Sequence, residues 1–479
     1  MSSKELAQRG KEGTSDGANG TATPKFGAHL REEFLFDEKY LNLNHGSFGT
    51  YPRALLPILH THQLSSEQRP DKFIRYTYPS LLSASRASLA TLLNCPVSTL
   101  VFVPNATTAI NTVLRGLRFA PGDKILYFAT IYGACEKTVQ YVCETTPAEA
   151  VRVEYTYPVE DAFFETAVRE AVKKEEEKGG RIKVAVFDTV VSLPGVRMPF
   201  ERLVDVCREL GVLSCVDGAH GVGHVELDLG RLDPDFFVSN CHKWLFVPRG
   251  CAIFHVPLRN QPLLPSTLPT SHGYTPTPSS ASTSPSKINN PLPPSTKSPF
   301  ETNFEFVGTL DNTPYLCVPA ALAWREKMGG EDAILTYCHA LAEKAAYRMA
   351  ELLGEGSGVL QNEGGTLLGR CCLANVRLPL EPRRVIEVAA AAVKRKRGNG
   401  DAEVGEEIGE GEIGGLVTSW MCRTFVDDYD TFMALIFYGG AWWIRISAQI
   451  YLEMKDFEWA AGVLKKMCER VMEGEFLAE

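Results

Sequence analysis

Lys243 stands in the run Ser239-Asn240-Cys241-His242-Lys243-Trp244, a lone cation amid apolar and aromatic neighbours. An ammonium is costly to bury unless it is paired or neutralised. An imine bond to a ligand aldehyde removes that conflict and creates a reactive centre; a lysine that snorkels to the surface resolves it without chemistry. Twenty-six residues earlier, Asp217 opens Asp217-Gly218-Ala219-His220. A carboxylate followed by glycine can meet a flat ligand closely and keep a pyridine nitrogen protonated, or it can simply cap the next helix. Farther upstream, Pro104-Asn105-Ala106-Thr107-Thr108 offers hydroxyls and free N–H groups at a helix start. That suits a phosphate, and it equally suits an ordinary N-cap. The three in order, hydroxyls then Asp then Lys, are far more specific than any one alone.

These segments need a scaffold that puts them on one rim. Leu100 to Val103, Asp123 to Phe128, Lys183 to Asp188, Val212 to Asp217 and Phe236 to Val238 are short apolar runs that read as strands. Helical patterns lie between them, at Thr107 to Leu117, Asp161 to Glu177 and Pro199 to Leu210. Strand and helix in alternation predict an α/β fold with a mostly parallel sheet, whose ligands sit at the carboxyl ends of the strands. Each of the three candidate segments directly follows a predicted strand.

The 479 residues are 44 % apolar, enough for two domains. We expect a tail without fixed structure at 1–24, an arm at 25–60 leading to the mouth of the site, a large domain at 61–315 and a smaller one at 316–479. Low-complexity insertions are expected at 275–298 and 394–415. A net charge of -9 argues against a nucleic-acid partner, and no run is long and apolar enough to span a membrane. The 13 cysteines show no paired C-x-x-C spacing, which points to reduced thiols and no metal site. With no signal peptide in view, the expected location is the cytoplasm. The basic run Lys394-Arg395-Lys396-Arg397 is at best a weak nuclear address.

Six motifs in order, Asn44-His45-Gly46-Ser47-Phe48-Gly49, Asn105-Ala106-Thr107, Val216 to His220, Ser239 to Trp244, Gly308-Thr309 and Arg445-Ile446-Ser447, resemble the class V aminotransferase group of fold-type I pyridoxal-phosphate enzymes. The group includes cysteine desulfurases and isopenicillin-N-epimerase-like proteins. The resemblance covers roughly 26–270 and 300–475. It implies a large mostly parallel-sheet domain, a smaller C-terminal α/β domain and pyridoxal 5'-phosphate as cofactor. It also implies roles. Lys243 would hold the cofactor and shuttle the proton, and Asp217 would pair with the ring nitrogen. Ala106 and Thr107 would bind the phosphate with His242 nearby, and Thr309 would reach the phosphate of the neighbouring subunit in a homodimer. Tyr132 would lie on the ring and act as acid to the leaving group. His220 and Ser192 would sit by the phenolic oxygen, Arg445 would bind the substrate carboxylate, and Asn44 and His45 would lie at the mouth.

Within the group, the runs Thr130 to Cys135, Pro248 to Cys251, Leu268 to Gly273 and Asn303 to Thr309 resemble the fungal hercynylcysteine sulfoxide lyases of ergothioneine biosynthesis. The implied reaction is C–S lysis of a cysteine-type conjugate, with pyruvate and ammonia as products. Epimerisation, desulfuration and transamination use the same cofactor residues and stay open, as does, more remotely, a non-catalytic cofactor-binding protein. Two places depart from the lyase pattern. Arg152 stands where those lyases carry a cysteine, and Phe437 to Trp443 replaces a basic run. Both changes imply an altered substrate side of the pocket.

Overall fold

The computed structural model describes residues 25–274, 292–294, 296–397 and 409–477. The expected tail at 1–24 and most of the 275–298 insertion therefore lie outside the described residues. Seven strands form the main sheet: β1 (Leu100–Val103), β2 (Asp123–Phe128), β3 (Glu149–Val153), β4 (Arg181–Asp188), β5 (Leu213–Asp217), β6 (Phe236–Asn240) and β7 (Ala252–His255). Their spatial order is β1-β7-β6-β5-β4-β2-β3. Neighbours are parallel except at β7, which runs antiparallel to both β1 and β6. The central strands are buried almost throughout, and Phe236 to Asn240 completely, because helices cover both faces. Phe200–Leu210 does this by placing Phe200, Leu203, Val204, Val206 and Cys207 inward at helical spacing. Each fully buried side chain of this kind contributes on the order of 1.5–3 kcal/mol.

Register then decides which residues meet. Asp188 at the end of β4 is the lateral partner of Asp217 at the end of β5, and Asp217 is that of Val238 on β6. Asp217 and the residues that follow Asn240 thus share one rim, with Asp188 beside them.

A second, antiparallel sheet has the order β10-β11-β9-β8, made of β8 (Gly358–Val359), β9 (Leu373–Arg377), β10 (Ala434–Tyr438) and β11 (Ala441–Ser447). Helices Gly330–Leu353 and Glu410–Tyr429 pack against it, and Met454–Glu473 packs on Gly330–Leu353. The stretch Phe437 to Trp443 is the hairpin of this sheet. Gly439 and Gly440 supply its turn, with φ of 57° and 72°. Phe437 packs on Trp442 with ring centroids 4.8 Å apart, and the Trp443 indole donates to the Tyr438 carbonyl. These contacts hold the strand that carries Arg445, and the Tyr438 hydroxyl accepts the Tyr157 N–H at 2.8 Å. The flanks of the 394–415 insertion are helical, with one helix ending at Arg397 and the next starting at Glu410. At the other insertion, Leu292 is buried and Ser298 caps Pro299–Glu305 with a reciprocal bond to Glu301.

Two ties bring the sheets together. Asn375 on β9 receives the Gly195 N–H at 2.8 Å and donates to the Gly195 carbonyl at 2.9 Å, clasping the loop after β4. The arm pairs Leu41–Asn42 in parallel with Thr431–Phe432, and Leu43 accepts the Ser447 N–H. That pairing delivers residues 44 to 49 between the two sheets.

Candidate active site

Lys243 follows β6 in the short helix Cys241–Trp244, and its Nζ lies 3.2 Å from His220 Nε2. The Trp244 indole donates to His220 Nδ1 at 3.1 Å, so the neutral imidazole carries its proton on Nε2, toward the lysine. Burial holds His220 well below the usual histidine range, and the adjacent lysine adds to this. Burial, and then the Arg445 charge, push the Lys243 ammonium down to about 8, against the pull of Asp217 and Asp188. A lysine so placed readily supplies a neutral, nucleophilic amine.

His45 lies beneath this lysine rather than at the mouth. Its Nε2 donates to the Lys243 carbonyl at 2.7 Å, and its Nδ1 accepts from Tyr451 Oη at 3.0 Å. Burial pushes its pKa down to about 4, so it works as a neutral strut. Gly49 ends the same segment at φ 63°, where a Cβ would stand 1.8 Å from the His242 carbonyl oxygen. Only glycine lets the arm lie this close to the lysine backbone.

Asp217 is 3 % exposed. Its Oδ1 accepts the Ala219 N–H at 2.9 Å and its Oδ2 the Cys135 S–H at 3.3 Å. Sequence reasoning quoted Cys135 without this role. It missed Asp188 altogether, although Asp188 ends a predicted strand just as Asp217 does.

The phosphate segment begins helix α1 (Ala106–Gly116), capped by Asn105 Oδ1 on the Thr108 N–H at 2.9 Å. The Ala106 N–H is committed to Asn240 Oδ1 at 2.9 Å, so Ala106 shapes the cup without offering a donor. The Thr107 N–H and hydroxyl have no partner among the described residues. His242 donates from Nδ1 to the Cys251 carbonyl at 2.8 Å, and burial holds it down to about 4. Thr309 is exposed and lines a surface cavity with Gln63, Glu67 and Ile74. The residues lining that cavity do not include Lys243.

Arg445 is 1 % exposed. Its Nη1 donates to the Ser192 carbonyl at 2.7 Å, and its Nη2 donates to Asn44 Oδ1 at 2.7 Å and Ser47 Oγ at 2.9 Å. Among the described residues no carboxylate pairs with it, and its buried Nε has no partner. Burial pushes it down to about 10. Burying a guanidinium costs several kcal/mol, and charge-assisted bonds to neutral acceptors return only about 1.5–3 kcal/mol each. The site is a cation waiting for an anion. Tyr132 lies at the start of helix α2 (Gly133–Thr145), 52 % exposed; its carbonyl accepts the Cys135 and Glu136 N–H groups, and its hydroxyl has no hydrogen bond among the described residues.

The structure thus gathers Lys243, His220, Asp217, Ser192, Arg445, Asn44 and His45 around one rim, and leaves Tyr132 and Thr309 on open surface. An accessible amine, a buried carboxylate and a helix start with free donors match the aldehyde, ring nitrogen and phosphate of pyridoxal phosphate. These residues fit the cofactor.

The sequence profile of the Aminotransferase class-V family matches residues 76–354. The L-cysteine desulfhydrase-like protein lolT1 of Epichloe uncinata is 37 % identical over 94 % of this chain and 97 % of its own. The hercynylcysteine sulfoxide lyase of Schizosaccharomyces pombe is 26 % identical over 92 % of this chain and 98 % of its own. A solved structure of a C-DES variant, with glycine covalently linked to its PLP cofactor, superposes with a TM-score of 0.65 at 16 % identity, over 91 % of this chain and 98 % of that one. That last likeness shows the fold. The chain belongs to the class V aminotransferase family, with a fold-type I architecture and pyridoxal 5'-phosphate as its cofactor.

Proposed function

We propose that the protein is a C–S lyase that cleaves the side chain of a cysteine-type amino acid and releases pyruvate and ammonia. The observation that carries this is Arg445, a fully buried guanidinium with no anionic partner among the described residues, on the rim that Lys243 shares. Its free Nε and paired Nη groups suit the α-carboxylate of an amino acid.

Pyridoxal phosphate, when bound, supplies an aldehyde that captures amines and a ring that withdraws electrons from the substrate α-carbon. Lys243 would hold it through Nζ and take the substrate α-proton at that same atom. His220 keeps Nζ oriented, because its own orientation is fixed by Trp244. Asp217 holds the proton of the ring nitrogen at its carboxylate, and Arg445 fixes the substrate carboxylate. Tyr132, with its hydroxyl free, protonates the departing sulfur.

The cysteines favour elimination over desulfuration. A desulfurase needs a mobile thiol to accept sulfur, whereas Cys371 and Cys372 are buried beside β9 and Cys135 is bound to Asp217. The relatives named above bracket the substrate between L-cysteine and an S-conjugated cysteine sulfoxide, and we favour hercynylcysteine sulfoxide. We infer also that two copies pair, each exposing Thr309, Leu310 and Phe48 toward the other, with Thr309 completing the partner's phosphate cup.

The test is incubation of the purified holoenzyme with hercynylcysteine sulfoxide and, separately, with L-cysteine, following pyruvate by a coupled assay beside a Lys243→Ala control. Pyruvate from the sulfoxide in the wild type alone supports the reading. Pyruvate and sulfide from L-cysteine alone would replace it with a desulfhydrase. Silence on both, from a protein that keeps its cofactor absorbance, would overturn C–S lysis.

A further inference from the structure

Asp188 and Asp217 are lateral partners at the ends of adjacent parallel strands, and they are 6 % and 3 % exposed. Two carboxylates this close in a poorly solvated site do not both ionise readily. Their hydrogen bonds say which one does. Asp217 accepts two donors, the Ala219 N–H and the Cys135 S–H. The Asp188 carboxyl accepts none among the described residues and is nonetheless buried. Donors stabilise an anion, so the charge belongs where the donors are.

We propose that Asp188 is a positioning residue for the cofactor nitrogen: it holds a proton beside Asp217, so that the pair carries one negative charge, located on Asp217. This rests on the reading that Asp217 meets the ring nitrogen. The surroundings agree. Burial, and then the Asp217 charge, hold Asp188 well above the usual carboxylate range, with Lys243 opposing. Burial also raises Asp217, but the Ala219 and Cys135 donors and Lys243 hold it back. The other titratable groups that sense Asp188 are Cys135, Tyr155 and Tyr157, and burial keeps all three neutral. Among the described residues, Lys243 is the cation that acts on Asp188, and it acts on Asp217 as well. A protonated Asp188 therefore leaves a single, fixed charge to stabilise the protonated ring. An ionised Asp188 would double that charge and make it vary with pH.

The test uses the holoenzyme reconstituted with cofactor labelled with ¹⁵N at the ring nitrogen. Infrared spectra at neutral pH should show a carboxylic-acid C=O band that disappears in Asp188→Asn. That variant should keep the ¹⁵N shift of a protonated ring and a kcat within about threefold of wild type, since asparagine mimics the neutral acid in shape. Asp188→Ser serves for the band if the asparagine variant does not fold. Absence of the band from wild type, or its survival in Asp188→Asn and loss in Asp217→Asn, would overturn the proposal. The underlying reading fails separately: an unchanged ¹⁵N shift in Asp217→Asn would remove Asp217 from the ring nitrogen, while the infrared band still reported where the proton sits.

Discussion

The two sides of this site are built differently. On the lysine side nearly every polar atom is committed: His45 to the Lys243 carbonyl and Tyr451, His220 to Lys243 and Trp244, Asp217 to Ala219 and Cys135. His224 stacks on Trp244 with ring centroids 4.0 Å apart and accepts the Cys372 N–H, locking the layer behind. On the outer side, Tyr132, Phe48 and Thr309 stand exposed, and the Tyr132 hydroxyl has no hydrogen bond among the described residues. The locked side fixes the chemistry common to the family. The open side is where a substrate and a second subunit bring their own contacts. Arg445 belongs to the locked side by burial and to the open side by its unfilled Nε, and it gives the sharpest test of the contrast.

Arg445→Leu should lower kcat/KM by two to three powers of ten, the loss of about 3–4 kcal/mol of charge-assisted binding. The cofactor absorbance should be unchanged. Arg445→Lys should recover little, because an ammonium cannot fork to a carboxylate. Steady-state kinetics with the substrate and with its decarboxylated amine separate the cases. Arg445 has no role in carboxylate binding if the variant loses as much on the amine as on the acid.

The locked side makes a prediction of pH. Only the neutral Lys243 amine captures an aldehyde, and burial lowers its pKa to about 8. The rate at which the apo protein takes up pyridoxal phosphate should therefore rise about tenfold per pH unit below that value and level off above it. An ordinary lysine would go on rising toward about 10.4. Stopped-flow absorbance across this range checks it. A rise that continues past pH 9 would mean that the lysine is not desolvated before the cofactor arrives.

How legible was this in the sequence? The placement of Lys243 and Asp217 at strand ends on one rim was, because short apolar runs announced their strands. The role of His45 was not: 198 residues separate it from Lys243, and no local pattern carries such a contact. The same holds for Arg445 and Ser192, 253 residues apart. Asp188 was overlooked because its meaning lies in its register with Asp217, and parallel register is set by packing across the whole sheet. The Phe437 to Trp443 stretch teaches the reverse lesson. Its Gly439-Gly440 pair is a local turn signal that the sequence carried in plain view.

Arg152 brings the smallest expected effect and the cleanest check on where the open side ends. The sequence suggested a substrate-side change there. The structure puts Arg152 on β3, the outermost strand, 44 % exposed, ion-paired with Glu154 at 3.2 Å and Glu136 at 3.9 Å. β3 lies four strands from β6, which leads into Lys243. At ~4.8 Å per strand that is roughly 19 Å. Exposed pairs of this kind are worth about 0–1 kcal/mol. Arg152→Cys should therefore leave kcat and KM for any accepted substrate unchanged, and shift thermal unfolding by no more than a few degrees. A changed substrate preference in that variant would extend the open side across the sheet to its edge, and the specificity of this enzyme would then have to be sought on a surface that the lysine does not see.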